Sequence, residues 1–143
     1  MYKKILITIC LFLFACTAQR VDPPEISLQN VMISDVQFLQ TTLASTILID
    51  NPSPQPLNLT GAVHRLYING KNVGRASSSD SMLIPAFGQS EQKVNFKLDN
   101  LSMYRNFTNL IQSTNFTYRI DSKLYTDDST WPIRVETERR YGF

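Results

Sequence analysis

One histidine, two cysteines and an adjacent pair of aspartates carry most of the chemical potential of this 143-residue sequence. His64 could serve as a general base. That role needs a nucleophile or carboxylate within hydrogen-bond reach, such as Ser45 or Asp50, and spacing alone brings neither to it. His64 alternates with apolar positions on a predicted strand, which favours a packed or hydrogen-bonded strand histidine. A structural zinc site draws about four Cys, His or carboxylate ligands, and none cluster at ligand spacing. Asp127-Asp128 has no glycine-punctuated acidic loop after it, so it reads as a turn rather than a calcium site. No catalytic residue, metal or cofactor is assigned.

The cysteines carry a different chemistry. Lys3 and Lys4 precede a run from Ile5 to Ala15 that is apolar except for Thr8. Its length suits a secretory signal and falls short of the roughly 20 residues that span a bilayer. The chain turns polar directly after Cys16, in "TAQRVDPPE". Leu13-Phe14-Ala15-Cys16 resembles a bacterial lipobox, although Phe14 is bulkier than the residue usual at that place. The resemblance implies cleavage between Ala15 and Cys16 and lipid on the Cys16 thiol. An ordinary secretory signal with a chance cysteine, or a transmembrane anchor, are the alternatives. The organisation expected is a cleaved signal at 1–15, a lipidated tether at 16–25 and a domain at 26–143. Thr17, rather than an aspartate, follows the cysteine. By the sorting habit of diderm lipoproteins, this favours the outer membrane of the cell envelope over the inner.

Processing changes what composition implies. Removing 15 residues from 143 leaves 128, the size of one ordinary domain. Cys10 leaves with the signal, so one cysteine of two remains and no intramolecular disulfide can form. Lys3 and Lys4 leave as well, so 14 basic side chains become 12 and match the 12 acidic ones. That balance lacks the basic stripe of a nucleic-acid binder. With 43% hydrophobic and 18% charged residues, the chain is globular rather than disordered in composition. It is expected to be a monomer.

The mature sequence reads as short strands. Ile26, Leu28, Met32, Val36 and Phe38 share one phase of a period-two pattern. Val31 and Ile33 break it, which implies a bulge or burial on both faces. Leu43, Ile47 and Ile49 form a second strand, ended by Asn51-Pro52 because proline cannot donate to a ladder. Leu57 and Leu59 begin a third that runs through Val63, Arg65 and Tyr67, with His64, Leu66 and Ile68 opposite. Asn69-Gly70 is a hairpin signal, since both residues tolerate positive φ. Residues 77–81 are polar, Met82 to Ala86 make a short apolar step, and Val94, Phe96 and Leu98 alternate. The period then changes. Leu101, Tyr104, Phe107 or Thr108, and Ile111 predict a helix over 100–112, capped by Asp99 or Asn100. Phe116, Tyr118, Ile120 and Leu124 return to strand, as do Ile133, Val135 and Thr137 after a turn. The class expected is mostly β, an antiparallel β-sandwich with one helix.

The segment "STILIDNPSPQPLNLTGAVHRLYINGKNVGRA" resembles the group-2 late-embryogenesis-abundant family, also called the WHy (water stress and hypersensitive response) domain. The resemblance rests on Asn51-Pro52, Tyr67 to Gly70, Ile84-Pro85-Ala86, the strand to Leu98, the helix and Trp131-Pro132-Ile133. It covers roughly residues 26–137. Here Ser53-Pro54 replaces the second asparagine often found after Asn-Pro. The resemblance implies an immunoglobulin- or fibronectin-like fold, no enzyme activity and a loose link to stress tolerance. Its motif residues Asn51, Pro52, Asn69 and Gly70 read as structural, with a recognition loop at Asn51-Pro52 as the functional alternative. Four sequons, at Asn58, Asn100, Asn106 and Asn115, matter only in a eukaryotic secretory pathway and beside a lipobox read as chance. Two functions follow: a non-catalytic protective or accessory binding module, or an adaptor that pairs an exposed sheet edge with an envelope partner.

Overall fold

Alternating apolar and polar runs, cut by proline and Asn-Gly turns, become eight strands. The computed structural model describes residues 22–111 and 115–142. Ala15, Cys16 and the rest of the expected signal lie outside the described residues. The strands are β1 (Glu25–Val36), β2 (Gln40–Asp50), β3 (Leu57–Ile68), β4 (Lys71–Ser78), β5 (Met82–Ile84), β6 (Gln89–Asp99), β7 (Asn115–Thr126) and β8 (Ile133–Gly142). One helix, α1 (Asn100–Ile111), separates β6 from β7.

Every pairing is antiparallel, in the order β1-β2-β6-β4-β3-β7-β8, with β5 on β3. The expected sandwich of two stacked sheets is instead one eight-stranded sheet curled into a half-barrel. The reason is a narrow seam. β2 and β6 pair from Gln40↔Asp99 to Asp50↔Gln89, but β4 and β6 share only Gly74↔Leu98 and Arg75↔Lys97. A Cβ on Gly74 would collide with Leu98 Cδ2 and sit 2.9 Å from the Lys97 carbonyl oxygen. Glycine therefore permits the approach that joins the two halves into one sheet.

The concave face holds the core. Ile47, Ile49, Leu59, Ile84, Phe96, Ile120 and Leu124 are fully buried there. β6 follows the period-two expectation, with Gln92, Val94, Phe96 and Leu98 buried and the residues between them exposed. β3 does not keep one phase. Leu59 is buried, but so are Ala62, His64 and Leu66, which lie on the other phase. A register irregularity on the β7 side between Leu59 and Gly61 makes the switch. The face of Val63 and Arg65 is thus the outer one.

In β1 the bulge reading is borne out. Register shifts lie between Gln29 and Met32 and between Ile33 and Asp35, and Asn30 has φ of 48°. Burial on both faces is not: Val31, Met32, Ile33 and Val36 are exposed. Phe38, assigned to the inward phase of that strand, falls in the hairpin tip and is 94% exposed.

Candidate functional site

The one histidine sits in the centre of β3. It is fully buried, with Nδ1 2.7 Å from Ser122 Oγ and Nε2 3.2 Å from Gln92 Oε1. Burial holds its pKa below the usual 6.5, with the Gln92 bond pulling weakly the other way. The ring is therefore neutral near pH 7. Gln92 Oε1 only accepts, so Nε2 carries the proton and Nδ1 accepts from the Ser122 hydroxyl. The Phe96 ring lies 6.4 Å from the imidazole, centre to centre. A serine, a histidine and a carbonyl oxygen in line resemble the parts of a nucleophilic triad. The orienting group here is neutral, however, and all three side chains are sealed from solvent. Ser45 and Asp50 are not the partners.

Neither Ser122 nor Gln92 was singled out from the sequence. The available signal was a polar residue at an inward position of an apolar run: Ser122 between Ile120 and Leu124, and Gln92 before Val94, Phe96 and Leu98. Three such positions on three strands meet at one point of the concave face.

Asn51 closes β2 and organises the loop after it. It is 2% exposed. Its Nδ2 donates to the carbonyls of Gln55 (2.8 Å) and Pro85 (3.1 Å), while Oδ1 accepts from the Ser53 N–H at 3.1 Å. Its backbone N–H reaches the Gly88 carbonyl at 2.9 Å, and Phe87 N–H reaches the Ser53 carbonyl at 3.0 Å. One carboxamide thus ties the 51–56 loop to the 85–88 turn. Pro52 begins that loop, beyond the ladder. Phe87 is held at φ of 51° in this turn and is largely exposed. Asp127-Asp128 lies in an exposed turn between β7 and β8.

The opposite end is built by Asn69, Gly70 and the helix start. Asn69 and Gly70 both take positive φ, 47° and 78°. Asn69 Oδ1 accepts from Thr117 N–H, so the turn also fixes the start of β7. Asp99 caps α1: Oδ1 accepts from the Leu101 and Ser102 N–H groups, and Oδ2 accepts from the Ser102 hydroxyl. The Ser102 bonds foremost hold the Asp99 carboxyl below the usual carboxylate range. Asn100 donates to the carbonyls of Gln37 and Phe38, so the β1–β2 hairpin is strapped to the helix. The predicted apolar stripe of α1 is not the buried one at its start. Met103 packs against the core, whereas Leu101 and Tyr104 are exposed. The side chains of Phe107, Thr108, Ile111 and Phe116 lie outside the described residues.

This end also carries most of the exposed large apolar side chains among the described residues. Val31, Met32, Ile33, Val36, Phe38 and Leu39, together with Leu101 and Tyr104, are all exposed. β1 pairs only with β2, so its other edge makes no ladder. The His64, Ser122 and Gln92 side chains are sealed in the interior, and these apolar side chains face outward at this end.

Comparison with known proteins agrees with the architecture. No functionally curated protein matches the sequence. A protein from Arabidopsis thaliana, solved in solution, superposes with a TM-score of 0.66 at 13% identity, over 90% of this chain and 87% of its own. A crystal structure of a protein from Archaeoglobus fulgidus gives 0.53 at 16% identity, over 82% of this chain and 98% of its own. At these identities the likeness is one of fold. The model of the LEA_2 family, described as late embryogenesis abundant protein, matches residues 46–139, from the middle of β2 through most of β8. The chain belongs to the LEA_2 family of late embryogenesis abundant proteins.

Proposed function

We propose that this protein is the bacterial lipoprotein form of an LEA type-2, WHy-like domain: a non-catalytic protective or accessory binding module held at the cell envelope by lipid on Cys16. The observation that carries the non-catalytic reading is the fully buried His64, with its neutral ring committed to Ser122 and Gln92. A general base must meet solvent-borne substrate, and this one has no exposed atom.

The lipobox resemblance at Leu13 to Cys16 supports the anchor. One acyl chain holds a protein only marginally, whereas two hold it stably. A diacylglyceryl thioether on Cys16 would therefore suffice without a membrane-spanning helix. The geometry then has a direction. The described chain enters beside Glu25, and β1 carries it twelve residues, about 40 Å at 3.3 Å per residue, to the hairpin at Gln37–Leu39. With lipid on Cys16, a short tether at 16–25 would bring the Asn51 end nearer the membrane than the uncovered apolar end.

Fractionation with metabolic palmitate labelling tests the anchor. Wild type should be labelled and membrane-bound, and Cys16→Ser unlabelled and uncleaved. Label retained by Cys16→Ser, or a soluble unlabelled wild type, overturns it.

The unpaired edge of β1 favours a second reading, an adaptor in envelope assembly. An exposed strand edge flanked by apolar side chains is a template for strand addition. Capture from envelope extracts separates the two. An adaptor retains one stoichiometric partner that Ile33→Gln loses, and a protective module retains none.

A further inference from the structure

We propose that the half-barrel holds a neutral, slender apolar molecule bearing one hydrogen-bonding oxygen, in the cavity between its two halves, with the Ser45 hydroxyl as the group that fixes it. The cavity measures about 320 Å³. Leu28 and Leu43 form one wall, Leu66 and Tyr118 the other, and Phe96 and Ser45 complete it. No charged residue lines it, so an anionic or cationic ligand gains nothing there.

Ser45 carries the argument. It is 4% exposed, and its Oγ has no hydrogen-bond partner among the described residues. Native proteins rarely leave a buried hydroxyl unmade, and each exception asks for an explanation. The other inward polar side chains do not share this isolation. His64 and Ser122 bond each other, and Gln92, whose Nε2 is unpartnered, is still committed through Oε1. An alanine at position 45 would fit the apolar wall without leaving a polar group unbonded. The serine instead offers an unpartnered hydroxyl inside a chamber that is apolar but for the Tyr118 phenol, the pattern of a small-molecule site with few orienting groups.

Size and access agree. At about 30 Å³ per heavy atom the chamber takes roughly ten. Ser45 lies inward of Leu43 on β2, while Val31, half exposed, forms the rim on the β1 edge. Beyond it, Ile33 pairs with Leu43 and Val36 with Thr41, so they extend the same concave face and lie uncovered. The bulges of β1 thus lay an apolar approach up to the mouth. The groove on the outer face, lined by Arg65, Asp121, Lys123, Arg134 and Glu136, mixes both signs of charge and suggests no comparable ligand.

The inference is independent of the anchor. It is tested on the full chain, isolated without detergent, by titrating 1-decanol and decane and following methyl and indole NMR signals. Decanol should saturably shift Leu43, Leu66 and Ile68 and leave Trp131 and Leu83 unmoved. Ser45→Ala should weaken decanol about three- to tenfold, the loss of one hydrogen bond, and leave decane binding unchanged. Leu43→Trp, which fills the chamber, should abolish both while the remaining spectrum shows the fold intact. If Leu43→Trp does not fold, Val31→Trp at the rim replaces it. Absent or unsaturable shifts, or shifts spread over Trp131 and Leu83, overturn the site. Saturable decanol binding of equal strength in Ser45→Ala overturns the ligand class assigned to it.

Discussion

β6 and the outer half of β1 are both supplied with apolar side chains and end differently in the fold. Val94, Phe96 and Leu98 are 5%, 0% and 2% exposed. Val31, Ile33 and Val36, equally apolar, are 48%, 69% and 66% exposed. β6 is an interior strand of the curled sheet, bonded by β2 along its length and by β4 at the seam, and its inward face is buried in the core. β1 is an edge, twice bulged, and its outer half reaches past the strands that would cover it. Periodicity tells which side chains share a face. Whether anything covers that face depends on partners distant in sequence.

The contrast is broken most severely by truncating the covered strand. Phe96→Ala removes a fully buried ring that packs in the core and stands by His64. It should cost about 3–5 kcal/mol, a large part of the stability of a domain of this size. Urea unfolding of wild type and variant measures it, and a loss below 1 kcal/mol would mean that the two halves do not close on β6.

Asn51→Ala should come next, at about 1–3 kcal/mol, because it removes a buried carboxamide that bonds the Gln55 and Pro85 carbonyls and leaves the buried Ser53 N–H without its acceptor. Asn51→Asp distinguishes donation from acceptance. A carboxylate still accepts from Ser53 but cannot donate to the two carbonyls, so it should not rescue the loop. Near-wild-type stability of Asn51→Asp would show that the carboxamide donors matter little.

His64 gives a smaller effect with a sign set by pH. Its folded pKa lies below its unfolded value near 6.5, so the unfolded chain binds the proton more readily. The contribution of the neutral ring is fully present above pH 6.5 and is lost progressively as pH falls below it, towards the lowered folded pKa. Urea midpoints at pH 7.5 and pH 5 should fall with acid in wild type. His64→Gln should flatten that slope in this window, and a slope left intact would place the responsible proton elsewhere.

What was legible in the sequence was local. The helix span, the Asn69-Gly70 turn, the end of β2 at Asn51-Pro52 and the inward set of β6 depend on neighbours a few residues away. The curled sheet depends on two residue pairs at Gly74 and Arg75, which no local pattern announces. The phase of β3 reverses at Gly61, where an added Cβ would meet the Ser78 carbonyl at 3.0 Å, and a bulge of that kind leaves only a glycine in the text. The partners of His64 come from strands 28 and 58 residues away. The sequence marked the histidine as structural in character but could not name what satisfies it. The uncovered face of β1 was the least legible feature: the broken alternation at Val31 and Ile33 announced the bulge, but apolar residue type alone does not tell a covered face from a bare one.

The smallest stability effect should come from that face, and it sharpens the comparison most. Ile33 pairs with Leu43 yet is 69% exposed, so Ile33→Gln exchanges apolar surface that is already wet. Its effect on urea unfolding should stay within about 0.5 kcal/mol, as for surface substitutions generally. The same substitution at a covered position, Val94→Gln, would bury an unpaired amide and should be far more damaging. The second measurement is colloidal. Contiguous exposed apolar surface on an unpaired edge promotes association, so Ile33→Gln should raise the concentration at which light scattering first shows oligomers. A large loss of stability in Ile33→Gln would show that this half of β1 is covered in solution. An unchanged association threshold would show that the face is uncovered but does not drive contact.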